Sequence, residues 1–188
     1  EFSDWIGHSR GGPFFPEYTD HGMQHIEGVL ATADLLMTPA SRDLLNAKDV
    51  AALVLAVLLH DSVMHLTEDG FLAVIDPGCP WQPMPEFEDK PWHELWTAFV
   101  SEATRWDAKK IADILGDDAD PVNRKSVDTA VASRKLAGHH RLIGEFLRRH
   151  HHVLAHHIAL HGVPGPSDDR IRLADIPGRI PDIAGVIA

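Results

Sequence analysis

Asn46-Ala-Lys-Asp-Val-Ala-Ala-Leu-Val-Leu-Ala-Val-Leu-Leu-His-Asp61 decides how the rest of the chain is read. Its apolar run, Val50 to Leu59, is ten residues long. A membrane span needs roughly 20. A run of this length is either a buried strand or a buried helix. Ala51, Ala52 and Ala56, with the length itself, favour the helix. Asn46 is a good N-cap, and Asp49 suits the positive end of the helix dipole. The segment therefore predicts a helix from about Ala47 to His60, apolar nearly all round. Such a helix belongs at the centre of a core, with Val50, Leu53, Val54, Val57 and Leu58 buried. It ends by presenting His60 and Asp61 from a rigid apolar base.

Outward from that helix the pattern stays helical. Asp20 is a candidate N-cap for a preceding helix, along which Met23, Ile26, Leu30, Ala33 and Met37 recur every three or four residues. Thr38-Pro39 should end it. Residues 1–19 read as an irregular lead-in. Pro77, Pro80, Pro83, Pro85 and Pro91 mark a loop. Trp92 to Leu115 reads as helix with a break near Asp107, and Gly116 to Pro121 as an acidic turn. A long helical stretch, kinked or split, is expected from about Ser126 to Leu160, with Gly162 as its stop. Ile180 to Ala188 starts one more helix. No alternating strand pattern is visible. The fold expected is all-α, an irregular bundle around a buried central helix.

The chain has 188 residues, one domain's worth, and is read as a single helical domain over 1–188 within a longer protein. Its 28 acids against 17 bases give a net charge of -11, which argues against bulk binding of nucleic acid or anionic membrane. Cys79 is the single cysteine, so neither an internal disulfide nor a thiolate zinc site is available. With no signal peptide or span in view, a reducing, cytoplasmic setting is expected. The anomaly is histidine: there are 14, eight of them from His139 to His161, and that bias asks for metal or proton-transfer chemistry.

Three places carry candidate chemistry. His21 and His25 are four apart and share a helix face. His60 and Asp61 pair two hard or borderline metal ligands. The run Arg148-Arg-His-His-His-Val-Leu-Ala-His-His-Ile158 sets more histidines at helical spacing. Each has a bland alternative. A lone helical histidine is usually surface or satisfied core, which is the reading for His8, His93 and His161. A His-Asp dipeptide arises by chance, and a His-rich helix can be a solvated face. What weighs against chance is the order: His on one helix, His-Asp closing a second, then a His-bearing helix some ninety residues on.

That order resembles the HD-domain superfamily of metal-dependent phosphohydrolases. The similarity rests on His25-Ile-Glu-Gly-Val-Leu30, Ala56-Val-Leu-Leu-His-Asp61 and His151-His-Val-Leu-Ala155. It also resembles the branch in which such a domain precedes a chaperone-type or histidine-kinase-type ATPase. The resemblance implies metal ligation by His25, His60 and Asp61, with Asp61 bridging if two metals bind. His151 is the match for the next ligand, and His140 is its rival with the same spacing to a small residue. The family also supplies a further His and a final Asp. No His follows His161, and Asp175 and Asp182 are loose matches for the Asp.

The activity implied is hydrolysis of a phosphate ester, on a nucleotide or nucleic-acid-like substrate. One or two divalent ions (Mn, Fe, Ni, Co, Zn or Mg) would activate water. Asp61 and His65 are the candidate catalytic residues, His65 as a proton shuttle or a substrate-binding residue. Arg148 and Arg149 are candidates for forked binding of phosphate, with solvated helix residues as the alternative. His21 would orient His25's neighbourhood. Two other readings stay open: a non-catalytic HD-fold sensor that binds nucleotide or metal and signals to an attached ATPase domain, and a helical scaffold with accidental histidines.

Overall fold

Asn46 opens the deciding helix as the sequence predicts. Its carboxamide oxygen accepts from the backbone N–H of Lys48 and Asp49 at 2.8 and 3.3 Å, and the Asp49 carboxylate accepts from the Asn46 N–H at 2.9 Å. Three backbone N–H groups at the start of the helix are thereby satisfied, two of them reciprocally between Asn46 and Asp49. The computed structural model describes residues 12–15, 21–81 and 90–165, and among them every regular element is a helix. In chain order these are α1 (Met23–Leu36), α2 (Pro39–Leu44), α3 (Ala47–Leu59), α4 (Glu68–Val74), α5 (Trp92–Ala103), α6 (Ala108–Leu115), α7 (Arg124–Ser133), α8 (His140–Arg149) and α9 (His151–His161). Short 3-10 turns, Ser62–His65 and Ala137–His139, follow α3 and precede α8.

Local chemistry sets most boundaries. Thr38 caps α2, accepting from the Ser41 N–H at 3.1 Å, and Pro39 fills its first position. Asp107 breaks the stretch after α5 by capping α6, accepting from the Lys110 N–H at 2.8 Å. Gly162, at φ 80°, ends α9. The stretch 126–160 is split twice. Arg134 adopts the left-handed conformation (φ 54°, ψ 38°) and ends α7, and His150 (φ -110°, ψ 13°) separates α8 from α9. His140 and His151 thus stand on different helices. Asp20, the expected cap of α1, and the expected helix Ile180–Ala188 lie outside the described residues. The observed α1 begins behind an extended Gly22.

The core is aromatic and sits away from α3. Phe71 of α4, Trp92, Trp96 and Phe99 of α5 and Phe146 of α8 meet mostly edge to face, with ring centroids 5.1–6.4 Å apart. α9 lies across this cluster and against the 3-10 turn after α3. The expectation that α3 is buried along its length is therefore corrected. Val57 and Leu59 are buried, Leu53, Val54 and Leu58 are half-buried, and Val50 is 46% exposed. The reason is packing: α3 touches α1 along one seam, where Ile26 and Val57 meet with Val29, Leu30, Leu53 and Leu58 around them. Only its C-terminal end reaches the main body. Composition showed that the helix is apolar but not how many neighbours cover it.

Residues 12–15 form a strap. The Gly12 N–H donates to the Met64 carbonyl at 2.7 Å, and Phe14 and Phe15 are buried. A Cβ at Gly144 would collide with the Phe14 carbonyl oxygen, so α8 needs glycine there. Gly28 in α1 is different, with open space where its Cβ would lie. Gly144→Ala should cost about 1–3 kcal/mol in chemical denaturation, as overpacking does. Gly28→Ala should add about 0.5–1 kcal/mol through helix propensity. Equal effects at the two sites would contradict the close approach.

His157 on α9 is a core residue. It is 3% exposed, and its ring stacks on Trp81 with centroids 5.0 Å apart and planes 6° apart. Neither ring nitrogen has a hydrogen-bond partner. Burial, and then the neighbouring His161 and His156, push its pKa from 6.5 down to about 4. The unfolded chain then binds more protons than the folded one between these values. Stability should fall as pH drops from about 6.5 toward 4. In His157→Leu this acid-side slope should be shallower than in the parent chain, measured by urea midpoints across that range. An unchanged slope would mean that His157 is not held neutral by the core.

Candidate metal centre

α1 and the end of α3 meet at one carboxylate oxygen. Asp61 follows His60 where the chain leaves α3 for the 3-10 turn. Its Oδ2 lies 2.8 Å from His60 Nε2, 2.9 Å from His21 Nδ1 and 3.3 Å from His25 Nε2. His21 precedes α1, and His25 stands in its first turn. The Ile26–Val57 seam holds these two helices together, so the apolar packing of α3 positions the cluster rather than centring the core.

The end of α3 and the lead-in of α1 are both tied down. His60 Nδ1–H donates to the Val57 carbonyl at 2.8 Å, which turns Nε2 toward Asp61. That carbonyl is one of the spare acceptors in the last helical turn. His65 is buried in the 3-10 turn, and its Nε2–H donates to the His21 carbonyl at 3.3 Å, tying the lead-in of α1 to the segment that carries Asp61. Burial by itself would raise the Asp61 carboxyl. The hydrogen bond and charge of His60, then those of His21, outweigh it and bring the pKa down to about 2. The same hydrogen bond to Asp61 raises His60 above 6.5, against its own partial burial.

The donor set fits a divalent cation. His21, His25 and Asp61 each offer one ligand atom, and these atoms all lie within 4.8 Å of one another. His60 meets the group through Asp61. The Nε2 atoms of His21 and His25 are buried and make no hydrogen bond among the described residues; that of His25 has the Asp61 carboxylate oxygen 3.3 Å away, and that of His21 faces no acceptor or donor. An orphaned lone pair in such a place calls for an acceptor of electron density, and a metal ion is one. Two imidazoles with a carboxylate suit borderline first-row ions. His21, read from the sequence as an orienting residue, is a direct member of the group. The signal for it was its four-residue spacing from His25.

The other sequence candidates make different contacts. His151 Nδ1–H donates to the Arg148 carbonyl at 2.9 Å. His140 Nε2 pairs with Glu68, joining α8 to α4, and its ring meets Phe14 edge-on. Arg148 grips Glu145 at 2.8 and 3.0 Å. Arg149 bonds both Glu145 and Glu102 at 2.9 Å and lies over the rings of Phe99 and Trp106. Both arginines are neutralised by carboxylates. Arg149, then Trp106, hold Glu102 down to about 2. Asp175 and Asp182 lie outside the described residues.

A family model described as HD-CE matches residues 15–188. No curated protein and no solved structure matches the chain. The His25 and His60-Asp61 motifs fall inside the matched span. In the metal-free protein His60 should titrate above 6.5 in an NMR pH series. Asp61→Asn should bring it back to that value or below. An unmoved His60 in that variant would deny the carboxylate its place as the common partner.

Proposed function

The chain belongs to the HD-CE family, and from that membership and the Asp61 centre we propose a metal-dependent phosphohydrolase or phosphodiesterase acting on a nucleotide or nucleic-acid-like phosphate ester. The observation that supports it most is one carboxylate oxygen within 3.3 Å of three imidazole nitrogens, with the buried Nε2 of His21 beside them free of any hydrogen bond among the described residues. A bound divalent ion (Mn, Fe, Ni, Co, Zn or Mg, one or two) supplies Lewis-acid polarisation and a water ionised near neutral pH.

The chain's own residues do the rest. Asp61, with its pKa held to about 2, is an anion across the physiological range and attracts the cation. His21 and His25 present imidazole nitrogens beside it. The His60 side chain is 40% exposed, so its Nε2 is reachable from solvent. There it shares a proton with Asp61 and is placed to pass it to a leaving oxygen. His65 is a positioning residue that acts through the His21 backbone. The proposal includes a cytoplasmic setting and an attached ATPase domain. Among the described residues, no single helix is long and apolar enough to cross a membrane.

One observation favours a regulatory reading instead. Arg148 and Arg149, the cations expected to take phosphate, are held by Glu145 and Glu102. In that reading the centre binds metal or nucleotide and signals without turnover. A panel of phosphate mono- and diesters and nucleotides, assayed with Mn, Ni, Co and Mg separately, decides between them. Metal-dependent turnover lowered roughly 100-fold or more in Asp61→Asn is expected. His65→Phe should weaken metal binding about 10–100-fold, as loss of an outer-shell partner does. Metal binding that depends on Asp61 with no turnover would support the regulatory module. Failure of the chain to bind any of these ions would sink the hydrolase, and failure to bind nucleotide as well would sink the regulatory module.

A further inference from the structure

An acidic chain concentrates positive charge on α7 and the turn after it. Residues 123–141 contain Arg124, Lys125, Arg134, Lys135 and Arg141 against Asp128 alone, a local excess of four in a chain of net charge -11. The three arginines are engaged: Arg124 with Asp128 and Ser101, Arg134 with Asp69, and Arg141 with the Leu115 carbonyl. Lys125 and Lys135 pair with no carboxylate among the described residues. Both line an open cavity of about 480 Å³, and no acidic side chain shares its wall. That volume lies within the range of small-molecule sites.

The wall between the two lysines is a row of hydroxyls. Ser126, Thr129 and Ser133 line the cavity at helical spacing, and His139 closes one side with its Nε2 3.3 Å from Ser126 Oγ. The Thr129 and Ser133 hydroxyls donate to carbonyls of their own helix at 2.7 and 3.3 Å, and rotation about χ1 redirects them outward. Lys125 stands in the first turn of α7 and Lys135 just past its end. The ten-residue helix between them is about 15 Å long. A solvated helix face mixes both signs of charge; this wall carries one sign and a stripe of donors. Two cationic side chains on the wall of one cavity suit an anion with more than one phosphate.

We propose that this cavity binds the polyphosphate moiety of a nucleotide-sized ligand, at a site built on different elements from the Asp61 centre. The test is calorimetric titration of sodium pyrophosphate into the whole chain, with EDTA present so that the metal centre takes no part. The parent chain and Asp61→Asn should bind alike, with affinity falling as salt rises. Lys125→Gln/Lys135→Gln should bind at least tenfold more weakly, and Lys125→Arg/Lys135→Arg should retain binding. The lysine substitutions are at exposed positions and should leave the thermal midpoint unchanged. No pyrophosphate binding, equal affinity in the glutamine variant, or loss in Asp61→Asn would overturn the proposal. So would binding confined to a ten-nucleotide single strand, which would make the surface a nucleic-acid track.

Discussion

The Asp61 carboxylate is the constraint around which the candidate site is arranged. One oxygen faces three imidazoles from the start of α1 and the end of α3, two helices joined by an apolar seam. A partly buried carboxylate is tolerable only when it is paired. His60 and His21 supply that pairing, and in return Asp61 fixes where their rings point. The geometry is therefore mutual. The Val57 carbonyl sets His60, the His65 ring sets the His21 backbone, and the Ile26–Val57 seam sets the distance between α1 and α3. Without Asp61 the three rings lose their shared partner, while the apolar seam remains.

The aromatic body has a separate task. α4, α5, α8 and α9 bury the large rings, and the His-rich segment largely serves them. His157 stacks on Trp81, His150 packs against Phe146 and Trp92, and His140 bonds Glu68 across two helices. Arg149 ties α8 to α5 through Glu102 while covering Phe99 and Trp106. A histidine count alone gives no reason to separate these from ligands. Their surroundings do: flat rings against other rings are packing, and rings aimed at one carboxylate oxygen are a site.

Much of this was legible in the residues. The N-cap of α3, the break at Asp107 and the stop at Gly162 follow from local chemistry, and the convergence of His25, His60 and Asp61 follows from the family resemblance. α2 and α4 were not foreseen, because six or seven residues hold too few turns to show a period. The degree of burial of α3 depends on which helices reach it, and that is a tertiary fact. The arginine pairings were also beyond reach, since Glu102 lies 47 residues from Arg149 in the chain. The split between α8 and α9 turns on a single residue, His150, whose type carries no breaking signal.

The central claim is that Asp61, His21 and His25 hold one divalent ion. Crystals grown with Mn or Co and measured across the metal's absorption edge locate that ion directly. The account predicts an anomalous peak about 2.0–2.2 Å from an Asp61 carboxylate oxygen and from a nitrogen of His21 or His25. A peak among His151, His156, His157 and His161, with none at Asp61, would contradict it.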